Sequence, residues 1–298
     1  MRLFYGETKP LSLPSRHSFP APKYGRLFER IQSEGIVQAS ELFAAPPATN
    51  EQLLRVHTPD YVTRMTQGQM TEKEMRRIGF PWSEDLVDRS RRSVGATISA
   101  CHVAREDGFS GNLGGGTHHA FADHGEGYCV FNDVAVAIRA MQAEGYIRRA
   151  VIIDLDVHQG NGTAAIFAGD SSVFTFSVHS EKSFPYHKEF GNLDIALPDG
   201  IEDKSFLASV KDGLAWSLEL ANADLAFYIA GADPYMDDRL GRMAITKRGL
   251  AHRDQMVFER VRRAGLPLVL VMGGGYARQI DDTVDIHLQT FRIAKDYW

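Results

Sequence analysis

Cysteine is nearly missing from this chain: Cys101 and Cys129 are the only two among 298 residues. Two thiols are too few for a disulfide framework, and they lack the C-x-x-C spacing of a zinc ribbon or a dithiol redox site, so a reducing compartment is expected. Long hydrophobic runs are missing too. The longest aliphatic stretch, LPLVLVM, falls far short of the roughly 20 residues that span a bilayer. The amino-terminal MRLFYGETKP has no apolar core after its charge, so no secretory leader is expected either. Nor is there an excess of basic charge: the net charge is −5 and the pI near 6.1, which leaves no global field for a phosphate backbone. Clusters such as Arg89, Arg91 and Arg92, or Arg262 and Arg263, read as solvated helix faces. Internal repeats, low-complexity tracts and Gly/Ser/Pro linkers are also absent. Together these point to a soluble, cytoplasmic protein that meets neither membrane nor nucleic acid directly, folded as a single domain over residues 1–298.

From about residue 150 onward, short aliphatic runs alternate with longer amphipathic segments. AVIIDL, SVFTFSV, LAFYIA and PLVLVM read as buried strands, and DKSFLASVKDGLAWSLELA and TKRGLAHRDQMVFERVRRA as helices. Such alternation implies an α/β fold, an open parallel β-sheet with helices on both faces. The amino-terminal half is less regular, with a strand candidate at RLFY, a proline-rich stretch at 10–22 and helix-like segments at 83–106 and 133–144. Ligands of open parallel sheets bind beyond the carboxyl ends of the strands. Here AVIIDL runs into DVH, VFTFSV into His179, LAFYIA into GADP and LVLVM into GGGY, so four strands are expected to bring polar or glycine-rich ends to one edge.

In IIDLDVHQGNGT an aliphatic run finishes with two carboxylates and an imidazole on alternate residues. Side chains of an extended segment alternate faces, which sets Asp154, Asp156 and His158 opposite Ile153, Leu155 and Val157. Asp156 and His158 are two metal ligands with a shared facing, and Asp233 in YIAGADP is the expected third. Three protein ligands and an open position describe a catalytic zinc site. The plainer alternative, a surface turn whose carboxylates cap a helix starting near Gly160, needs only one carboxylate. Asp233 alone, before Pro234, is ordinary loop chemistry. In NLGGGTHHAFADHGEGYCVFND three glycines permit a sharp turn that sets His118 beside His119. Two neighbouring imidazoles can act as general base and general acid, the alternative being a structural pair; the lysine and hydroxyl of a phosphate loop are missing. MGGGYARQI presents Tyr276, whose hydroxyl could donate to a substrate carbonyl or whose ring could simply pack.

GGGTHHA, IIDLDVHQGNGT, AGADPYMDDRLG and MGGGY, in this order and with HSFPAPKY and RVHTPDYV upstream, resemble the zinc-dependent histone deacetylase family with its arginase/deacetylase fold, over nearly the whole chain. The resemblance implies a hydrolase that removes acetyl or longer acyl groups from lysine side chains. It implies one catalytic zinc ion per chain on Asp156, His158 and Asp233, with Asp154 hydrogen-bonded behind His118, Asn161 behind His119, and Tyr276 polarising the amide carbonyl. It further implies substrate contacts at Gly127, Tyr128, Phe184, Leu240 and Gly274, Tyr128 and Phe184 walling a narrow tunnel. A structural potassium ion is implied among backbone carbonyls around Asp154, Asp156, His158, Ser177 and Val178.

Where many members carry HHGDG, this chain has Gln159, Gly160 and Asn161 after His158, so an amide backs His119, which favours a neutral ring. This form looks most like the class IV branch and its bacterial relatives. The implied partner is an acyl-lysine peptide or protein, with an acetylated polyamine or other small amide as the alternative; nothing in the sequence fixes the oligomeric state. A binuclear manganese ureohydrolase shares the fold but needs further carboxylates where this chain has Gln159, Asn161, Pro234 and Tyr235. A non-catalytic acyl-lysine binder would not require both a general base and an oxyanion donor. His17, His57, His124 and His187 read as loop or structural groups, His102, His252 and His287 as helical, His179 as a neighbour of the potassium segment, and Met236, Met243 and Met272 as packing.

Overall fold

A computed structural model of the chain describes residues 1–6, 11–15 and 17–298; Pro10, at the start of the proline-rich stretch, lies outside them. Among the described residues, eight strands form one sheet: β1 (Leu3–Tyr5), β2 (Leu42–Ala44), β3 (Phe109–Asn112), β4 (Ala150–Asp154), β5 (Val173–Ser180), β6 (Leu193–Leu197), β7 (Leu225–Ile229) and β8 (Leu268–Val271). All neighbours pair in parallel, in the order β2-β1-β3-β8-β7-β4-β5-β6. The helices are α1 (Pro22–Ser33), α2 (Asn50–Leu53), α3 (Pro59–Thr66), α4 (Glu72–Ile78), α5 (Glu84–Asp107), α6 (Asp133–Ala143), α7 (Asn161–Ile166), α8 (Asp203–Ala221), α9 (Lys247–Arg263) and α10 (Ile280–Lys295). No helix is long and apolar enough to cross a membrane among the described residues.

Strand alternation divides the core between the two sheet faces. Ile152 packs with Phe227, Ile229, Val269, Val271 and residues of α5 and α6 such as Val94 and Ile138. Its neighbours Val151 and Ile153 pack with Ala226, Tyr228, Leu268, Leu270 and with Val210, Val257 and Leu288 from α8, α9 and α10. Each such aliphatic side chain contributes about 1.5–3 kcal/mol by leaving water, so the central strands are fixed in register from both sides. Helix starts follow local chemistry: the side chains of Ser83, Asn132 and Thr246 accept N–H groups in the first turns of α5, α6 and α9.

The structure departs from the sequence reading in several places. The central strand of IIDLDVH stops at Asp154, and the next residues form a turn in which the Asp156 N–H donates to Asp154 Oδ1. Leu155 and Val157 nevertheless stay with Ile153 in one core cluster, so the two-residue facing persists beyond the strand. Arg89, Arg91 and Arg92 are not a solvated face: Arg91 and Arg92 donate to the carbonyls of Ala48 and Ala45, and Arg89 lies over the rings of Phe19 and Tyr24. Met243 and Met272 are buried, but Met236 is 59% exposed and does not pack.

Candidate active site

The loops that follow β3, β8 and β4 line one cavity of about 480 Å³, and the loop after β7, the strand between β8 and β4, packs behind them against Asp156. β3 supplies the turn at 114–119, β4 the segment from Leu155 to Asn161, β7 the turn holding Asp233, and β8 the glycines before Tyr276. One expected strand end is displaced. His179 lies within β5, buried with its Nδ1 2.9 Å from Ser177 Oγ, and does not line the cavity; β3, unforeseen in the sequence, takes that place.

Asp156, His158 and Asp233 are buried, and their ligand atoms lie within 4.8 Å of one another. Among the described residues no other group of three His, Cys, Asp or Glu side chains is so placed. The backbone holds both carboxylates: Gly274 N–H donates to Asp156 Oδ2 at 2.6 Å, and Val157 N–H to Asp233 Oδ1 at 2.9 Å. His158 Nδ1 faces Asp156 Oδ1 at 3.0 Å and Asp233 Oδ2 at 3.3 Å. Beyond that approach of His158, Asp233 Oδ2 is buried with no hydrogen bond formed, a state costly for a carboxylate unless a cation meets it. The donor set therefore fits a divalent ion. The alternative in which these carboxylates merely cap a helix does not hold, because the backbone N–H groups that Asp154 and Asp156 accept belong to Asp156, His158 and Gly274 and not to the first turn of α7.

His118 and His119 sit with ring centroids 4.1 Å apart. Their Nδ1 atoms meet different partners, Asp154 Oδ2 at 2.7 Å and Asn161 Oδ1 at 2.7 Å. Burial alone disfavours a charged ring, but the Asp154 and Asp156 carboxylates outweigh it at His118 and push it up to about 9. At His119 burial and the two neighbouring imidazoles hold the ring well below its ordinary value, against the weak pull of Asn161. One imidazole thus favours the charged form and the other the neutral form.

Tyr276 is buried and lines the cavity; burial raises its hydroxyl well above the ordinary value and keeps it protonated. Tyr128 lines the cavity with its ring 5.8 Å from that of Tyr276, whereas Phe184, expected as the second wall, lies outside the lining and packs edge-on against His119 at 4.9 Å. Gly127 and Gly274 are places of close approach. A Cβ on Gly127 would come within 2.7 Å of His119 and 2.9 Å of Phe184, and one on Gly274 within 1.9 Å of Asp233 Oδ2. Leu240 does not join them: it is 39% exposed and outside the cavity lining. Ser177 pairs with Asp154 across β4 and β5, and Val178 is buried. Gln159 bonds away from the metal-ligating groups, its amide donating to Glu189 carbonyl at 2.6 Å and accepting from Glu189 N–H at 2.9 Å, so it offers no bridge to a second ion.

Several supporting residues escaped the sequence reading. Asp133 accepts from Thr97 Oγ1 and from the N–H groups of Gly116 and Thr117, fixing the turn before the histidine pair. Asp238 accepts from Tyr276 N–H at 2.6 Å and from Leu240 and Gly241. Lys23, 2% exposed, donates to the Gly275 carbonyl. The pairing of Asn132 and Asp133 at a helix start was a readable signal; the other two had none.

Residues 17–291 match the family described as the histone deacetylase domain. The chain is 43% identical to an uncharacterized protein of Picosynechococcus, over 96% of this chain and 95% of the relative. It is 29% identical to histone deacetylase 2 of Arabidopsis thaliana, over 92% of this chain and 74% of that one. It is also 29% identical to a histone deacetylase-like amidohydrolase of Pseudomonas aeruginosa, covering 85% and 70%. Among solved structures, an HDAC homolog complexed with SAHA superposes with a TM-score of 0.85 at 24% identity, over 100% of this chain and 84% of that one.

Proposed function

From the premise that the chain belongs to the histone deacetylase domain family, whose members are hydrolases acting on amide bonds, we propose that it removes acyl groups from the side-chain amine of lysine in a peptide or protein. One observation carries this reading: Asp156, His158, two imidazoles with partners of opposite character and a protonated tyrosine line a single cavity, with Asp233 buried beside His158. Asp156, His158 and Asp233 would hold one zinc ion, which supplies a Lewis acid that polarises an amide oxygen and acidifies water.

The chain's own residues do the rest. His119, neutral and donating from Nδ1 to Asn161, keeps Nε2 as the acceptor for the proton of the attacking water. His118, whose charge Asp154 stabilises, gives a proton to the departing amine. Tyr276 donates a hydrogen bond to the oxyanion as it develops. Phe19, Tyr24, Phe28, Phe80 and Leu113 add apolar surface to the cavity, which supports acyl groups longer than acetyl alongside acetyl. A potassium ion among the carbonyls around Asp154, Asp156, His158, Ser177 and Val178 belongs to the same reading, supported by the register that sets Asp154 beside Ser177.

The test is a panel of acyl-lysine peptides, from acetyl to long-chain, and acetylated polyamines, given to zinc-loaded protein and to Tyr276→Phe. Peptide hydrolysis is expected, with kcat reduced on the order of 10²–10³-fold in the variant at unchanged zinc content. Turnover confined to small non-peptide amides, or a fully active Tyr276→Phe, contradicts the proposal.

A further inference from the structure

Arg253 is 0% exposed and heads the largest wholly buried side chains of the protein, yet it lies outside the cavity. Its guanidinium sits behind the two loops that carry the metal-capable groups. Nη1 donates to the Gly231 carbonyl at 2.6 Å and to the Leu155 carbonyl at 3.3 Å. Leu155 is peptide-bonded to Asp156. Gly231 is the spacer between the carboxylates: a Cβ there would come within 2.6 Å of Asp156 Oδ2 and 2.8 Å of Asp233 Oδ1. One nitrogen thus ties together the backbones that set the Asp156 to Asp233 separation.

The rest of the guanidinium pairs with Asp254: Nε donates to Asp254 Oδ1 at 2.9 Å, and Nη2 lies 2.8 Å from the same oxygen in the ion pair without forming a hydrogen bond of its own. Asp254 in turn accepts from the Tyr228 hydroxyl of β7 at 2.5 Å and from Thr290 Oγ1 of α10 at 2.6 Å. The brace is therefore anchored to two further elements and cannot drift with the loops.

The geometry points to Arg253 as a positioning residue that fixes the spacing of the two ligand carboxylates from outside the site, and so sets the affinity and coordination geometry of the bound metal. This rests on the metal reading given above. A lysine cannot replace it, because a single ammonium lacks the planar fork needed to serve two carbonyls and a carboxylate together, although it keeps the charge beside Asp254.

The experiment compares wild type with Arg253→Lys and with the double variant Arg253→Met/Asp254→Asn, in which neither charge is left unpaired. Val261→Ala, a core truncation on the same helix, serves as the control for lost stability. Zinc affinity is read by competition with a chromogenic chelator, coordination geometry by the visible spectrum of the cobalt-loaded protein, and folding by the thermal midpoint of the apoprotein. The zinc Kd of both Arg253 variants is expected to rise roughly 10–100-fold, the range found for groups that orient ligands from behind, with an altered cobalt spectrum; Val261→Ala should lower the midpoint without either change. Wild-type zinc Kd and cobalt spectrum in Arg253→Lys and the double variant overturn the assignment, as does an equal loss of zinc affinity in Val261→Ala. Failure of wild type to bind any divalent transition metal overturns the metal reading itself, and this brace with it.

Discussion

Asp154 and Asn161 do the same geometric work for neighbouring rings and opposite electrostatic work. Each fixes a tautomer from Nδ1, but only the carboxylate rewards a positive ring, which separates the acid and base tasks of two otherwise similar histidines. A third histidine shows the structural use of the same side chain. His57, 1% exposed, donates from Nδ1 to the Phe121 carbonyl and accepts at Nε2 from Asn132 N–H. Protonating Nε2 would set two N–H groups against each other. Burial pushes its pKa down to about 4, and burial with the charges of Lys188 and His118 does the same for His179. The unfolded chain titrates near 6.5, so between pH 6.5 and 4 it binds more protons than the folded one, and stability must fall as pH drops through that window. Denaturant unfolding at pH 7.5 and pH 4.5 should show a loss on the order of 3 kcal/mol from His57, absent in His57→Gln. An equal slope in the variant contradicts this account.

Among the elements, β3 shows how structure of little local signal becomes decisive. FSGN holds one apolar residue and no alternation, and only its place between β1 and β8 makes it a strand. The edge strand β6 is similarly muted, with exposed residues alternating along LDIAL. By contrast β4, β5, β7 and β8 were legible because strands buried on both faces must be continuously apolar, and α8 because its boundaries coincide with an amphipathic run. The first residue of α6 locks the turn after β3: Asp133 Oδ2 receives Thr97 Oγ1 and Gly116 N–H, and Oδ1 receives Thr117 N–H and Oγ1. Asp133→Asn points an amide N–H₂ at donors, leaving buried groups unpaired at about 1–3 kcal/mol each. The variant should unfold at lower denaturant and hydrolyse substrate more slowly at unchanged zinc content. Full activity would mean that the turn does not position the histidines.

At the scale of the whole molecule, the sheet order brings together loops that are distant in sequence. β3 and β8 are adjacent although they lie at opposite ends of the carboxyl-terminal two thirds of the chain. Short motifs survive such separation: the D-x-D-x-H turn, the tandem histidines and the glycine runs each carry their chemistry locally, and the structure gathers them around one cavity. Braces do not survive it. Arg253, Asp238 and Lys23 look like ordinary charged residues until Gly231, Tyr276 and Gly275 are seen beside them. Leu240 and Met236 failed in the opposite direction, since local context gave no sign that the loop after Asp233 turns them outward.

The most direct test of the whole account is anomalous diffraction at the zinc absorption edge from crystals of the zinc-loaded protein. A strong peak is expected within about 2.0–2.2 Å of ligand atoms of Asp156, His158 and Asp233, with a coordination position open to the cavity. No peak among those three residues, or an ion fully enclosed by protein atoms, would contradict it.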